Sequence, residues 1–325
     1  MSWAWILFIA VVVTWLLLEA RTGRADGRYL PVAPVRRMMF VIMPRRVDGV
    51  TYYEAKVDCT KLLAYLEEAG PAIGAKVNHV LVGAAYIGFS STPRMNRFVA
   101  GRRLYQRDGI WLSFSMKRGV PGTDKFSRDA RLGTVKLQGE DGETFPQLCK
   151  RINGDVKLNR SGKKTAADKE FQLFDMLPRA VLEPAAHLIR WLDYFGLLPG
   201  FFIKGDPLFT SMYIANLGSI GMGPVYHHLF EYGTCPVFMC VGDIRSEATV
   251  VGDTVEPRPI MRLRFSFDER IADGINTRFG MEAICRVVAD PARWLGGLDD
   301  SPAPMWPHED WDDETGRYRI DRLSR

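Results

Sequence analysis

No internal repeat with a period of roughly 20 to 50 residues runs through the 325-residue chain, which excludes solenoid and propeller architectures. Paired cysteines are missing as well. Cys59, Cys149, Cys235, Cys240 and Cys285 are odd in number and widely scattered, which fits neither a disulfide framework nor a zinc site; reduced thiols in a cytoplasmic setting are the simplest reading. There is no block of one charge, because the 43 basic and 38 acidic residues are interspersed and leave only +5, so no nucleic-acid partner is expected. Lys157 to Lys164 is basic around Ser161-Gly162 but lacks the glycine and lysine placement of a P-loop and reads as a solvated loop. No His, Cys or carboxylate cluster has metal-ligand spacing, and no metal is expected. What the chain has is apolar residues, 47% of the total, enough for a sizeable core in one or two domains.

The longest apolar run stands first. Residues 1–18 carry no charge; as a helix they measure about 27 Å, close to a bilayer core of about 30 Å. Trp3, Trp5 and Trp15 lie towards its two ends, where indoles prefer the headgroup region. Nothing basic precedes Trp3, which speaks for a retained anchor over residues 1–20 rather than a cleaved signal peptide. Arg21, Arg24, Arg28, Arg36 and Arg37 follow against Asp26 alone, so the positive-inside bias predicts a single-pass inner-membrane protein whose body faces the cytoplasm.

Residues 21–36, rich in Arg, Gly and Pro, read as a basic tether, and 37–290 as one folded domain ahead of an Asp/Trp/Pro-rich tail at 291–325. Within the domain, Met38 to Met43 is an apolar run of strand length, and Thr51 to Val57 a strand. Asp58 caps a helix that Gly70 closes, and Val77 to Phe89 is a second, largely apolar helix in which His79 is expected as a satisfied core residue. Asn96 to Arg118 holds two strand-like runs around Arg107-Asp108-Gly109, read as a hairpin or closely spaced pair. Glu170 to Leu198 is helical, broken by Pro178 and Pro184, and suited to packing in the core or near a bilayer surface. Strands at Phe209 to Leu217, Cys235 to Val241 and Pro259 to Phe267 and a helix at Ile275 to Val288 complete the domain.

Three segments in order carry a resemblance. Phe265-Ser-Phe-Asp268-Glu269-Arg270-Ile-Ala-Asp273-Gly274, followed by Thr277 and Phe279, resembles the Asp-His-Arg-x-x-Asp-Gly signature of the dihydrolipoyl acyltransferase catalytic domains of 2-oxoacid dehydrogenase complexes, relatives of chloramphenicol acetyltransferase. Tyr213-Ile-Ala215-Asn216-Leu-Gly218-Ser219-Ile-Gly221 is similar to the family's Thr-Ile-Ser-Asn-Leu-Gly strand, and Asn96 to Lys117 to a strand pair of chloramphenicol acetyltransferase. The resemblance implies an α/β fold, a two-layer sandwich with a mixed sheet, assembled as a homotrimer with substrate channels between subunits. It also implies a mechanism in which a signature histidine deprotonates a thiol or hydroxyl acceptor, a serine binds the oxyanion, and the signature's aspartate holds an arginine.

The carry-over is partial. Asp273 matches the aspartate and Gly274 the glycine that lets the turn close, but the base position is Glu269 and the oxyanion position is Ala215, which has no donor. Losing a base costs roughly 10²- to 10⁴-fold and losing an oxyanion donor about 10²- to 10³-fold. Glu269 invites an ion pair with Arg262, Arg264 or Arg270 as readily as a base role, and His228, beside His227, is the candidate substitute base. Ser211 and Ser219 are candidate donors, although Ser211 lies four residues, about 13 Å, from Ala215 along the strand. Ala215, Asn216, Gly218, Ser219 and Gly274 are expected to line the channel. No lipoyl-type domain, swinging-arm lysine motif or long Ala/Pro linker stands before residue 36, so neither a lipoyl group nor membership of a dehydrogenase complex is implied. Two functions follow: a membrane-anchored acyltransferase drawing on a coenzyme A thioester, or a catalytically silent scaffold or acyl-thioester-binding partner of a membrane enzyme.

Overall fold

The computed structural model describes residues 2–118, 131–160, 178–296 and 298, with the backbone of two short paired strands, Trp311–Asp312 and Arg317–Tyr318, after them. Thus the span 161–177 of the expected basic loop and helix, and most of the expected tail, lie outside the described residues. The described chain builds one mixed sheet from β2 (Val50–Asp58), β5 (Trp111–Arg118), β6 (Arg131–Gln138), β7 (Met212–Asn216), β8 (Val237–Val251) and β9 (Thr254–Asp268), in the order β2-β9-β8-β7-β5-β6. β7 runs parallel to both β5 and β8, and the other neighbours are antiparallel.

Strand alternation decides what each face carries. Leu112, Phe114, Met212, Ile214, Val237, Met239, Leu263 and Phe265 all turn to one side and form the main core with α3 (Thr60–Ile73), α4 (Val77–Ser91), α5 (Phe145–Arg160) and α8 (Gly274–Ala289). α4 is apolar nearly all round and accordingly buried from His79 to Phe89. It meets α8 where both backbones are bare: a Cβ on Gly88 would stand 2.9 Å from the Gly280 carbonyl. His79 is satisfied there as expected, its Nδ1 accepting from the Lys76 amide at 3.0 Å and its Nε2 lying 3.2 Å from Asn153 Oδ1.

The structure departs from the sequence reading in five places. Met38 to Met43 is not a strand but part of α2 (Pro34–Ile42), started by a proline in its first turn and turning Phe40 inward against Val99, Leu104 and Ile271. The first helix after β2 runs through Gly70 and Pro71 and stops at Gly74, whose φ of +69° makes the left-handed cap, while Asp58 caps the other end through the Thr60 amide at 2.9 Å. Arg107-Asp108-Gly109 does not close a hairpin: β4 (Arg103–Arg107) is the middle strand of a separate three-stranded sheet, paired with β1 (Gly27–Leu30) on one side and β3 (Arg97–Ala100) on the other, while β5 belongs to the main one. Residues 21–36 are not a loose tether. The Arg24 side chain is 1% exposed, bonding Asp26 at 2.7 Å and Asp193 at 2.9 Å, with its guanidinium 5.1 Å from the Phe98 ring centroid. Finally, packing continues past residue 290 through α9 (Pro291–Trp294), with Trp294 and Leu295 in the main core.

Ahead of all this stands α1 (Trp3–Ala20), 18 residues with none buried, long and apolar enough to cross a membrane. α6 (Arg179–Tyr194) and α7 (Gly200–Gly205) precede β7.

Candidate active site

The base position and the oxyanion position sit at the ends of different strands. Ala215 closes β7, paired with Cys240, which in turn pairs with Arg264. Glu269 is five residues beyond Arg264, about 16 Å further along that strand at roughly 3.3 Å per residue. The faces differ too. Ala215 turns away from the helices and packs with Tyr213, Phe230, Phe238 and Cys240, whereas the Glu269 carboxylate accepts a hydrogen bond from Thr51 Oγ1 at 3.3 Å. Thr51 alternates in phase with Ala55 and Val57, which face the helix-side core. One chain therefore does not bring Ala215 and Glu269 together.

Glu269 does not take the ion pair its neighbours offer. Arg270 holds buried Asp268 bidentately, at 2.8 Å from each carboxylate oxygen. Arg264 is bonded to Glu54 at 2.5 Å, and Arg262 to Glu247 at 2.8 Å. All three guanidinium groups are spent elsewhere. The Glu269 amide donates to the Gly49 carbonyl at 2.9 Å, extending the β2–β9 ladder by one residue and fixing the carboxylate at the sheet edge, half-buried.

The structural half of the signature is built differently from the sequence reading. The aspartate that holds an arginine is Asp268, fully buried, with Arg46 also 3.9 Å away. Arg46 ties the same knot to the Gly233 carbonyl at 3.0 Å, and Arg270 reaches the Met43 carbonyl at 2.9 Å. Asp273 instead caps α8: its carboxylate accepts from the Asn276 amide at 2.9 Å, and that bond, with the Asn276 side chain, holds its carboxyl below the usual range. Gly274 meets open space where a Cβ would stand and has no left-handed φ, so the turn does not depend on it for closure.

At the other position the turn after β7 is tightly made. Asn216 Nδ2 donates to Asn78 Oδ1 at 2.5 Å, its Oδ1 accepts from the Ser219 amide at 3.1 Å, and Ser219 Oγ donates to the Asn216 carbonyl at 2.8 Å. Gly218 is required there, because a Cβ would stand 2.8 Å from the Asp243 backbone. Ser211 is fully engaged, accepting from the Trp111 amide at 3.0 Å and donating to Asn96 at 2.6 Å inside the fold, so it is a β5–β7 fastener and not a free donor. The His227 ring stacks on Phe238 at 4.0 Å, with Nδ1 2.7 Å from the His228 carbonyl; the exposed His228 packs on His227 and Phe230. The histidine pair and Ala215 thus share one aromatic cluster, and Glu269 stands outside it.

A six-stranded mixed sheet with helices on one face, ending in this signature turn, defines an acyltransferase-type fold. Residues 210–296 match the family model described as 2-oxoacid dehydrogenases acyltransferase (catalytic domain). Among solved structures, the chain is similar to a probable dihydrolipoamide acetyltransferase from Listeria monocytogenes, at 16% identity and TM-score 0.54 over 85% of this chain and 100% of that one. It is also similar to the dihydrolipoamide acetyltransferase of Azotobacter vinelandii, a structure concerned with the role of a serine, a histidine and an asparagine in catalysis, at 15% identity and TM-score 0.53 over 81% of this chain and 93% of that one. A truncated catalytic core of the 2-oxoacid dehydrogenase multienzyme complex from Thermoplasma acidophilum follows at 17% identity and TM-score 0.51, covering 81% and 98%. No curated protein matches the chain. The resemblance to the acyltransferase catalytic domains read from the sequence and the α/β fold with a mixed sheet expected from it are the ones found, with the family match confined to β7 to β9, α8 and α9.

Proposed function

We propose that this protein is a membrane-anchored, homotrimeric acyltransferase that draws an acyl group from a coenzyme A-type thioester and uses Glu269 as its base. The observation that carries the reading is the freedom of the Glu269 carboxylate at the signature's base position, against the Thr51 hydroxyl and away from every neighbouring arginine. In the step proposed, the carboxylate takes the proton of a thiol, hydroxyl or amine acceptor, the acceptor attacks the thioester carbonyl, and the C–S bond breaks to release coenzyme A as thiolate, which takes that proton back from the Glu269 carboxyl. The trimer is supported by the separation within one chain: Glu269 lies about 16 Å further along the sheet than Ala215, so the two positions would meet across a contact between copies. His228, whose ring packs on His227 and Phe230 of the cluster that also holds Ala215, is the second candidate base. Residues 1–20 supply the anchor in the inner membrane with the body on the cytoplasmic side. Retention of that helix rather than cleavage is supported by its contacts: Trp15 packs on Phe195 at 5.6 Å, and Glu19 binds Arg103 at 3.0 Å.

A second reading, a catalytically silent scaffold or thioester-binding partner of a membrane enzyme, is favoured by Ala215 itself. Position 215 has no hydroxyl of its own, and the Tyr213 hydroxyl is taken by Thr134, so among the described residues the family's serine donor has no hydroxyl replacement there. Release of coenzyme A thiol from a panel of acyl-CoA esters by the full chain in detergent separates the two. Turnover abolished by Glu269→Gln establishes the transferase. No turnover by the native chain, with gain in Glu269→His, establishes the silent fold.

A further inference from the structure

α6 is an amphipathic helix with no buried residue. Its inner stripe, Ile189 and Leu192, packs against Leu198, Ile203 and Phe209 of the body. The adjoining stripe, Val181, Leu188 and Trp191, spaced seven and three residues apart and so on one side of the helix, is 48%, 56% and 43% exposed, and Phe201 of α7 beside it is 78% exposed. Large apolar side chains in such a row mark an interaction surface.

What covers it is indicated by what it touches. Trp15, in the last turns of α1, meets Phe195 edge-on at 5.6 Å; Phe195 meets Trp191 at 5.1 Å and Tyr194 at 4.9 Å. Glu19 accepts from Tyr194 at 3.5 Å, and Arg24 clamps the end of α6 through both the carboxylate and the carbonyl of Asp193 at 2.9 Å. A continuous aromatic row therefore joins the end of α1 to the exposed stripe of α6, and the joint is pinned by buried charge. Tryptophan and tyrosine collected at one level are the usual occupants of a membrane–water boundary. Arg102 and Arg190 line the cleft of about 280 Å³ between α6 and the β3–β4 turn, Arg21 follows α1 directly and Lys204 lies in α7, and among the described residues none of the four has a side-chain hydrogen bond or ion pair. Unpaired cations around an apolar stripe fit an anionic lipid surface.

We infer that α6 and α7 lie on the surface of the bilayer that α1 enters, with Val181, Leu188, Trp191 and Phe201 in its headgroup boundary and Arg102 and Arg190 at the phosphates of anionic lipids. The inference rests on the anchor proposed above, and it makes the body a fixed, membrane-apposed unit instead of one swinging on a tether. The test uses the full chain in phosphatidylcholine vesicles, with and without phosphatidylglycerol, carrying an environment-sensitive fluorophore at Phe8→Cys, Leu188→Cys, Phe201→Cys or Val250→Cys, with the unsubstituted chain as labelling blank. Docking requires severalfold quenching of the labels at positions 8, 188 and 201 by doxyl-labelled lipid, with position 250 open to aqueous iodide. Quenching at position 8 alone, with 188 and 201 open to iodide, overturns the docking and leaves the anchor standing. A label at 188 shielded from both quenchers means that protein covers the stripe, which also overturns it. No lipid quenching at position 8 removes the anchor and the docking with it. In the Arg102→Glu/Arg190→Glu chain, the extra quenching given by phosphatidylglycerol should disappear; its persistence overturns the headgroup contact.

Discussion

The two faces of the central sheet are held by different physics. On the helix side, Leu112, Ile214, Met239, Leu263 and Phe265 interlock with α4 and α8 in a layer whose stability scales with apolar area and fit. On the other side, polar groups do the fastening: Ser113 donates to the Pro207 carbonyl at 2.8 Å, Lys136 to the carbonyls of Ile203 and Asp206 at 2.7 and 2.8 Å, and Arg264 binds Glu54. Between these fasteners lies the aromatic patch around Ala215. The helix face makes the fold; the other face is fastened by polar groups at its ends and packed in the middle by Leu229, Phe230 and the His227 ring. The same division separates Asp268 from its neighbour Glu269, one held by three hydrogen bonds from Arg270 and the other by a single hydroxyl.

The largest blow to this picture should come from the polar knot. Asp268→Ala strands Arg270 and Arg46 inside the protein, and breaking one partner of a buried pair costs about 3–5 kcal/mol, read as a shift of the urea midpoint. A loss under about 1 kcal/mol would mean that the knot is ornamental and that apolar packing holds both faces.

Next comes a pH signature that only the polar face can give. Burial pushes the Lys136 ammonium down from 10.5 to about 7, so between those values the unfolded chain holds a proton that the folded one does not. Stability must therefore rise with pH across that window, by at most about 1.4 kcal/mol per unit, and the penalty is complete below it. Lys136→Met should flatten this part of the stability-against-pH curve; an unchanged slope would assign it to another group. By contrast, Ile284→Val on the helix side, where Ile284 is fully buried, should cost about 1 kcal/mol at every pH.

The difference between the faces also explains what could be read in advance. Apolar alternation marked β7, β8 and β9, and the unbroken apolar run marked α4, because those residues meet one layer and carry its period. Short runs failed where period is ambiguous: Met38 to Met43 fits a strand as well as a turn and a half of helix, and only the proline at the start of α2 argues for the latter. The folded state of residues 21–36 was illegible since it rests on Arg24 meeting Asp193, 169 residues away. The hairpin assignment failed for a related reason: a turn between two strands says nothing about which sheet each strand joins. In the site, Glu269 and Ala215 stood out by replacing the expected residues. Their partners did not, because Thr51 reaches Glu269 only through the β2–β9 register, and Asp268 captures Arg270 only by being driven inside.

The smallest expected effect is the sharpest on function. Glu269→Gln removes a charge that no arginine among the described residues pairs with, keeps the shape, and leaves an amide able to accept from Thr51, so stability should stay within about 0.5 kcal/mol of the native chain. Asp268→Ala and Glu269→Gln thus form a pair of adjacent substitutions with opposite profiles, one strongly destabilising the protein and one sparing it. Should Glu269→Gln also cost several kcal/mol, Glu269 is part of the structural knot and its candidacy as a base falls. If the fold is untouched while thioester turnover is lost, the same carboxylate that contributes nothing to stability has been kept free at the sheet edge for chemistry.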